Sequence, residues 1–351
     1  MNSIKVAIVG YGLSGRVFHA NLLTSMPEFQ IRGVMTNDPI KQKDVICRHA
    51  GALIYTQFEE VLADDLVELI IISAPNTMHY KMASEALKKG KHVVVEKPFT
   101  VTLNEALDLH ELALAENKIV SVYHNRRFDG DFMTIQKLLQ EGHLGRVVSF
   151  ESHFDRFRPE FKAGAWREKN LPGSGVLYDL GSHLIDQAIA LFGMPNEIYA
   201  DLMFQRHGLV DDGFDIFLYY DAVKVLLRSS SLVKAKLPRF ILMGTEGSFV
   251  KYGMDPQEAL LKENICPSDI DQWGEDAVDN WGILNTINDS GNTYKTLNGD
   301  YRAYYQKLYR SIRFKEPVPV SSTCAVQTMQ LIECAIQSHR EKRRIHVTSI
   351  V

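Results

Sequence analysis

The stretch Ile4-Lys-Val-Ala-Ile-Val-Gly-Tyr-Gly-Leu-Ser-Gly15 decides the fold of this chain. Its mostly apolar first half predicts a buried strand, and three glycines follow with the spacing Gly-x-Gly-x-x-Gly. In this spacing Gly10 permits a tight turn, Gly12 lets a phosphate approach the backbone, and Gly15 lets a helix pack closely on the strand. The stretch therefore predicts a dinucleotide-binding turn, with a glycine-rich turn of a ligand-free sheet as the alternative. The expected cofactor contacts are Gly10, Tyr11, Gly12, Leu13, Ser14 and Gly15.

Further apolar runs alternate with amphipathic helical patterns up to residue 123. The runs are Ile31–Met35, Leu69–Ile72, His92–Val95 and Ile119–Val122, and helices are expected at about 15–25, 39–50, 77–89 and 102–116, with Thr77 and Thr102 as N-caps. Runs that are apolar throughout indicate strands covered on both faces. We therefore expect an α/β fold whose N-terminal domain, residues 1–123, is a Rossmann doubly wound parallel sheet.

The pattern changes to strand-like alternation in the rest of the chain. Strand runs are expected at Arg146–Phe157, Glu197–Gln205, Phe214–Tyr220, Val223–Val233 and Arg239–Tyr252, joined by short turns. Residues 255–300 are interpreted as a surface excursion, and Tyr301–Ile312 and Cys324–Arg340 as helices. Residues 124–351 are thus expected to form an α+β domain for substrate binding and oligomerisation, with a large, mostly antiparallel open sheet. Its C-terminal helix is a candidate to pack back on the first domain.

Composition excludes several classes of protein. The formal net charge of −4 gives no general electrostatic attraction to nucleic acid or anionic membranes. No apolar run approaches the 18 or so residues of a membrane span, and the strand pattern that starts at Ile4 leaves no room for a signal peptide. Four scattered cysteines without metal-site spacing indicate reduced thiols. We expect a cytoplasmic protein with no nucleic-acid or membrane partner.

The residues after the second strand indicate which dinucleotide is preferred. NAD sites place an acidic residue about 20 residues after the third glycine, where it accepts hydrogen bonds from the ribose 2′-hydroxyl. Here that position is Thr36, followed by Asn37, so a 2′-phosphate meets no repulsion, and Lys41 adds positive charge. We expect NADP to be preferred, with NAD as the alternative if Asp38 fills the acidic role.

Polar residues at the ends of the next strands are candidates for the nicotinamide end of the site. Glu96-Lys97-Pro98 follows a predicted strand, so Lys97 is expected to face the crevice where such sheets bind ligands. A surface Glu–Lys pair is the alternative. Pro75, Asn76 and His79 follow the preceding strand and complete the expected cofactor contacts.

The segment Asp179-Leu-Gly-Ser-His183 begins an apolar-faced helix and is the candidate for proton transfer. Asp179 and His183 are one turn apart and share a face, and a carboxylate can orient a histidine that exchanges a proton near neutral pH. A helix-stabilising pair is the alternative, and no further ligands at matching spacing favour a metal. Candidate substrate-binding residues are Asn125, Arg127, Asp155, Arg167 and Tyr178.

Together these motifs resemble the Gfo/Idh/MocA family of oxidoreductases. The resemblance rests on Gly10–Gly15 with His19, on Glu96-Lys97-Pro98, and on Gly175–His183, and it covers essentially the whole chain. The stretches 124–128, 150–159 and 251–257 are similar to a bacterial subgroup that includes NADP-dependent scyllo-inositol dehydrogenases.

The resemblance implies a reaction, a backbone feature and an assembly. It implies hydride transfer between nicotinamide C4 and a secondary alcohol carbon of a cyclic polyol or sugar. His183 would be the general base, Lys97 a hydrogen-bond donor to the reacting oxygen, and Asp179 an orienting group. It also implies a cis Lys97–Pro98 bond and a homodimer or homotetramer formed through the open sheet face. The alternatives are another sugar, a sugar nucleotide or a dihydrodiol as substrate, or a non-catalytic dinucleotide-sensing regulator.

Overall fold

The computed structural model describes residues 3–161 and 168–351. The chain divides into two compact units, each assembled from three separate stretches. The first unit comprises Met1–Asn125, Pro256–Trp273 and Asp300–Val326. The second comprises Arg126–Asp255, Gly274–Gly299 and Gln327–Val351.

The first unit is built on a six-stranded parallel sheet with the order β3-β2-β1-β4-β5-β6, which confirms the predicted Rossmann fold. The strands are β1 (Ile4–Val9), β2 (Phe29–Met35), β3 (Leu53–Tyr55), β4 (Leu69–Ile72), β5 (His92–Val95) and β6 (Val120–Val122). The helices between them are α1 (Asn21–Thr24), α2 (Pro39–Arg48), α3 (Phe58–Ala63), α4 (His79–Lys88) and α5 (Leu103–Ala115). All four residues of β4 are fully buried, which is why this strand is apolar throughout.

Two details of this unit differ from the sequence expectation. The sequence did not predict β3 and α3, which have three and six residues and are too short for a periodic pattern to show. The prediction of Thr77 as an N-cap is wrong, because Thr77 lies inside a 3₁₀ turn (Asn76–Met78) and α4 begins only at His79. Thr102 is confirmed as a cap, since its side chain accepts a hydrogen bond from the N–H of Glu105.

The second unit is built on a nine-stranded sheet with the order β14-β13-β12-β11-β7-β10-β9-β8-β15. Its strands are β7 (Val147–His153), β8 (Glu197–Met203), β9 (Gly213–Tyr219), β10 (Lys224–Ser230), β11 (Phe240–Gly244), β12 (Gly247–Lys251), β13 (Gly282–Thr286), β14 (Asn292–Tyr294) and β15 (Ile345–His346). Among the described strands of this sheet, only β7 and β10 pair in parallel, so the expected mostly antiparallel sheet is confirmed. Helices α6 (Gly130–Glu141) and α7 (Ser182–Phe192) belong to the same unit.

The two faces of this sheet differ in burial. Along β9, Phe214, Ile216 and Leu218 are fully buried, whereas the alternate residues Phe217 and Tyr219 are only partly covered. This alternation gives the strand one core face and one half-exposed face.

The expectation of a surface excursion at residues 255–300 is wrong. Residues 256–273 belong to the first unit and contain α8 (Gln257–Lys262), while 274–299 supply β13 and β14 to the second sheet. The fully buried amide oxygen of Gln257 accepts hydrogen bonds from Trp273 Nε1 (2.9 Å) and from the N–H of Tyr301 (2.8 Å). Such long-range contacts leave no periodic signal in a polar sequence. The last helices are α9 (Arg302–Phe314) and α10 (Ser322–Glu341).

Candidate active site

The glycine-rich turn has the steric pattern that a bound pyrophosphate requires. Gly10 has φ +93°, and a Cβ there would lie 2.6 Å from the carbonyl oxygen of Ser73. A Cβ at Gly15 would lie 2.0 Å from the carbonyl oxygen of Gly10, so the helical segment Ser14–Ala20 packs directly on the turn. A Cβ at Gly12, in contrast, would meet no atom within 4 Å. The turn is therefore closed by protein at two glycines and open at the third, and its residues fit a dinucleotide.

The residue that follows β2 is Thr36, and the next acidic residue is engaged in capping a helix. The Asp38 carboxylate accepts hydrogen bonds from the N–H groups of Ile40 (2.9 Å) and Lys41 (3.4 Å), which makes it the N-cap of α2. The Ile40 hydrogen bond is the main cause of a lowered pKa of Asp38. Asn37 is exposed beside it. The end of β2 therefore presents amide and hydroxyl groups, with the Lys41 ammonium 3.5 Å from the Asp38 carboxylate.

Glu96, directly after β5, connects the glycine-rich turn to the rest of the first unit. Its carboxylate accepts a hydrogen bond from the hydroxyl of Ser14, and its Oε1 lies 2.9 Å from His19 Nε2. The other ring nitrogen of the buried His19 lies 2.5 Å from the hydroxyl of Tyr305 on α9. Burial by itself would raise the pKa of Glu96, but the hydrogen bond and charge of His19, helped by Ser14 and Lys97, lower it to about 2.

The Lys97–Pro98 peptide is cis, as the family resemblance implied. Its loop is held by His79, which is buried and places one ring nitrogen 2.9 Å from the carbonyl oxygen of Pro98 and the other 3.0 Å from that of Ala74. Burial lowers the pKa of His79. Both ring nitrogens of His79 thus face backbone carbonyls, and the residue joins the loops that follow β4 and β5. Pro75 and the buried Asn76 lie in the first of these loops.

Tyr11 and Leu13 point in different directions within the turn. Tyr11 is buried, and its hydroxyl lies 3.1 Å from His49 Nε2 at the end of α2. Burial, followed by the nearby Asp44 carboxylate, raises the pKa of Tyr11. Leu13 has an exposed side chain. The Tyr11 side chain therefore supports the turn from the side of α2.

In the second unit, Asp179 and His183 lie together at the start of one helix. Asp179 belongs to a π-helical segment (Leu177–Gly181) that continues into α7, and His183 is the second residue of α7. The N–H of Asp179 donates to the carbonyl oxygen of Gly175 (3.1 Å), and an Arg156 nitrogen lies 3.6 Å from the Asp179 carboxylate. His183 is 5 % exposed, while the Asp179 side chain is 21 % exposed. The pair combines a shielded imidazole with a carboxylate that reaches solvent.

The expected substrate-binding residues differ in their contacts and burial. Arg127 forms a bidentate ion pair with Asp186 of α7, with both nitrogen–oxygen distances at 2.7 Å. The Asp155 carboxylate accepts the N–H of Ser230 (2.9 Å) and lies 3.4 Å from His153 Nδ1. Tyr178 is half-buried next to Asp179, and Asn125, which belongs to the first unit, is buried at the start of a 3₁₀ turn (Asn125–Phe128). Arg167 lies outside the described residues.

Sequence reasoning missed two residues next to the Asp179–His183 helix. Arg156 lies beside the Asp179 carboxylate, and its guanidinium carbon is 5.1 Å from the centre of the Phe154 ring. Asp211, two residues before the start of β9, accepts a hydrogen bond from the N–H of Leu177 (2.6 Å). Arg156 directly follows Asp155, which the sequence analysis named as a candidate substrate-binding residue, whereas nothing in the sequence links Asp211 to a helix 34 residues before it.

Two features are absent from the described ranges, 3–161 and 168–351. No three histidine, cysteine or acidic side chains there are grouped so as to hold a metal ion. No helix in the same ranges is long and apolar enough to cross a membrane.

Comparison with known families matches both halves of the chain. Residues 4–124 match the Gfo/Idh/MocA model described as "Oxidoreductase family, NAD-binding Rossmann fold". Residues 136–347 match the model described as "Oxidoreductase family, C-terminal alpha/beta domain".

Individual relatives are similar along almost the whole chain. The scyllo-inositol 2-dehydrogenase (NADP(+)) IolW of Bacillus subtilis is 40 % identical over 98 % of this chain and 96 % of its own length. The uncharacterised oxidoreductase YdgJ of Escherichia coli is also 40 % identical, over 97 % of this chain and 98 % of its own. The solved structure of yvaA from Bacillus subtilis superposes with a TM-score of 0.95 at 40 % identity, covering 99 % of both chains. An oxidoreductase structure from Bacillus cereus gives 0.91 at 31 % identity, covering 99 % of this chain and 100 % of the other.

Proposed function

The chain belongs to the Gfo/Idh/MocA oxidoreductase family, and from that premise we propose an NADP-preferring dehydrogenase that acts on one secondary hydroxyl of a cyclic polyol or sugar. The observation that carries the proposal is the glycine-rich turn, which is sterically closed at Gly10 and Gly15 and open at Gly12. The named substrate of the 40 % identical relative makes scyllo-inositol, or the inosose derived from it, the first substrate to test.

We assign cofactor binding to residues 1–123. The turn Gly10–Gly15 would hold the pyrophosphate, and Thr36, Asn37 and Lys41 would surround the adenosine ribose. The proposal of NADP over NAD is supported by the role of Asp38, whose carboxylate caps α2 through two backbone N–H groups. The bound nicotinamide supplies the hydride acceptor for oxidation and the donor for reduction.

We assign substrate binding and proton transfer to residues 124–351 together with Lys97. His183 takes the proton of the substrate hydroxyl as the carbonyl forms, and returns it in the reverse direction. Lys97 donates a hydrogen bond to the reacting oxygen and stabilises its negative charge. Asp179, with Arg156 3.6 Å from its carboxylate, orients the substrate or the imidazole.

The half-exposed face of the second sheet supports the proposal of a homodimer or homotetramer. Tyr199, Phe217 and Tyr219 are only partly covered on the neighbouring strands β8 and β9, and a second copy would bury them. Light scattering coupled to gel filtration measures the assembly directly. The four free cysteines support a cytoplasmic location.

Absorbance at the nicotinamide band tests the reaction. NADP and NAD are supplied separately with a panel of inositols and aldoses, and turnover with scyllo-inositol that is faster with NADP is expected. Lys97→Ala and His183→Ala should lose turnover and keep NADPH binding, measured by fluorescence. Near-normal turnover of either variant would refute the assigned proton path. Tight NADPH binding without turnover across the panel would point instead to a dinucleotide-sensing regulator.

A further inference from the structure

Asp211 caps the start of the helical segment that carries Asp179 and His183. Its carboxylate oxygen Oδ2 accepts the N–H of Leu177 at 2.6 Å, and its backbone oxygen accepts the N–H of Val176 at 3.0 Å. Leu177 is the first residue of that segment. The first N–H groups of a helix have no partner within the helix, so Asp211 supplies acceptors that the segment itself lacks.

Gly175 brings Asp211 close to Asp179. Gly175 has φ +94°, and a Cβ on it would lie 2.0 Å from Asp211 Oδ1, so the carboxylate packs directly against its α-carbon. The carbonyl oxygen of Gly175 in turn accepts the N–H of Asp179 at 3.1 Å. One residue therefore separates the Asp211 carboxylate from the backbone of Asp179.

We propose that Asp211 is a positioning residue, which fixes the first turn of this segment and through it the orientation of Asp179 and His183. The inference rests on the proposed function, because it is the role of His183 in proton transfer that gives this orientation its importance. Asp211 itself is not assigned any contact with substrate or cofactor.

The electrostatic surroundings of Asp211 give the cap a pH dependence. Burial raises the pKa of Asp211 to about 6, although the hydrogen bonds from the backbone N–H groups act in the opposite direction. The neighbouring Asp212 carboxylate raises it further, while Asp212 itself is held by Arg206 at 3.1 Å and by two backbone N–H groups. On the helix side the charged groups are Asp179 and Arg156, which lie 3.6 Å from each other. Below about pH 6 Asp211 is neutral and becomes a weaker acceptor for the Leu177 N–H.

Three variants distinguish the effect of losing the hydrogen-bond acceptor from the effect of losing the negative charge. Asp211→Ala removes the acceptor, Asp211→Asn keeps an acceptor oxygen of the same shape without the charge, and Asp221→Asn removes a charge from an exposed turn, where Asp221 accepts from Asn196. Three quantities are measured for each variant: the NADPH dissociation constant, kcat and KM for scyllo-inositol, and the NMR titration of the His183 ring from pH 5 to 9.

We expect Asp211→Ala to lower kcat by about 10- to 100-fold, because a small misplacement of a catalytic group costs that much. NADPH binding should stay within about two-fold in the same variant, since binding of the dinucleotide is assigned to the other unit. The NMR titration of the His183 ring should also change in this variant, because the segment that carries Asp179 and His183 loses its fixed first turn. Asp211→Asn should restore most of both properties, and it should also remove from the His183 signal the inflection near pH 6 that Asp211 contributes. Asp221→Asn should match the wild type.

The positioning role is refuted if Asp211→Ala leaves kcat and the His183 titration unchanged, or if Asp211→Asn is as impaired as Asp211→Ala. Should Asp211→Ala fail to fold, the comparison of wild type with Asp211→Asn still decides, through the inflection near pH 6. If the proposed function is wrong, the measurements give a different result. The wild type then shows no turnover or no NADPH binding, while the His183 titration still reports on the cap.

Discussion

The substitution Gly12→Ala separates the cofactor role of the glycine-rich turn from its role in folding. A Cβ at Gly12 would meet no protein atom within 4 Å, and the backbone of Gly12 is not among those with positive φ. The alanine variant should therefore fold without strain. A compatible Gly→Ala change stabilises a protein by about 0.4–1 kcal/mol, because it restricts the unfolded chain.

The same methyl group should weaken dinucleotide binding. It would occupy the space through which a pyrophosphate approaches the backbone, so the variant loses at least one hydrogen bond between an N–H group and a charged oxygen. Such a bond contributes about 1.5–3 kcal/mol, which corresponds to a rise of roughly 10- to 150-fold in the NADPH dissociation constant.

Fluorescence titration with NADPH and thermal unfolding of the free protein measure the two effects separately. Gly15→Ala is the matched contrast, since its Cβ would lie 2.0 Å from the carbonyl oxygen of Gly10. That overlap should cost about 1–3 kcal/mol of stability and weaken binding as well. A Gly12→Ala protein that binds NADPH as tightly as the wild type, or that melts at a clearly lower temperature, would show that this reasoning about the turn is wrong.

Three other substitutions test the charges around the two halves of the site. Thr36→Asp places a carboxylate where the 2′-phosphate is proposed to bind, and the repulsion between charges 4 Å apart costs about 1–4 kcal/mol. The ratio of kcat/KM with NADP to kcat/KM with NAD should therefore fall about tenfold or more. An unchanged ratio would show that Thr36 is not part of the site. Glu96, with its pKa lowered from 4.5 to about 2, stabilises the folded state above about pH 4.5 by about 3 kcal/mol, and this contribution disappears as the pH falls towards 2. Glu96→Gln should therefore unfold more easily in urea at pH 7 and lose that acid dependence; equal stability of the two proteins at pH 7 would contradict it. Asp211 affects stability in the opposite direction, because its pKa is raised from 3.8 to about 6. Its contribution to stability is greatest below pH 4, and about 3 kcal/mol is lost as the pH rises through 6. Asp211→Asn should accordingly have a higher free energy of unfolding than the wild type at pH 7 and lack that decline. Urea titrations between pH 4 and 8 measure both, and a lower free energy of unfolding for the variant at pH 7 would contradict the reasoning.

The sequence predicted those parts of the fold that repeat a local pattern. The strands β4 and β5 have the predicted bounds, because strands covered on both faces are apolar throughout. The hairpin of β11 and β12 lies within the predicted strand run Arg239–Tyr252. In contrast, β13 and β14 have only five and three residues, and each depends on a neighbouring strand for its pairing: β13 pairs with β12, and β14 pairs with β13.

The candidate site likewise combines local features that the sequence predicted with long-range contacts that it did not. The glycine-rich turn and the Asp179–His183 spacing are local, and the sequence predicted both. Glu96 was expected to touch the cofactor, and the structure adds that it holds Ser14 and His19 from 82 and 77 residues away along the chain. Arg127 was a candidate for substrate binding, and nothing in its neighbourhood predicted that Asp186, 59 residues later, would pair with it. Contacts of this kind depend on the packing of distant elements, which a local pattern does not encode.

The division of the first unit among three stretches of the chain has a consequence for its synthesis. Residues 1–125 are synthesised well before residue 305. At about 5–20 residues per second, the interval between the synthesis of residue 125 and that of residue 305 is roughly 10–40 s. During that time His19 lacks the Tyr305 hydroxyl, and the buried Ser121 lacks the hydroxyl of Tyr304. During this interval, part of the core of the nascent parallel sheet is not covered. The dinucleotide-binding unit is complete only when almost the entire chain has been translated.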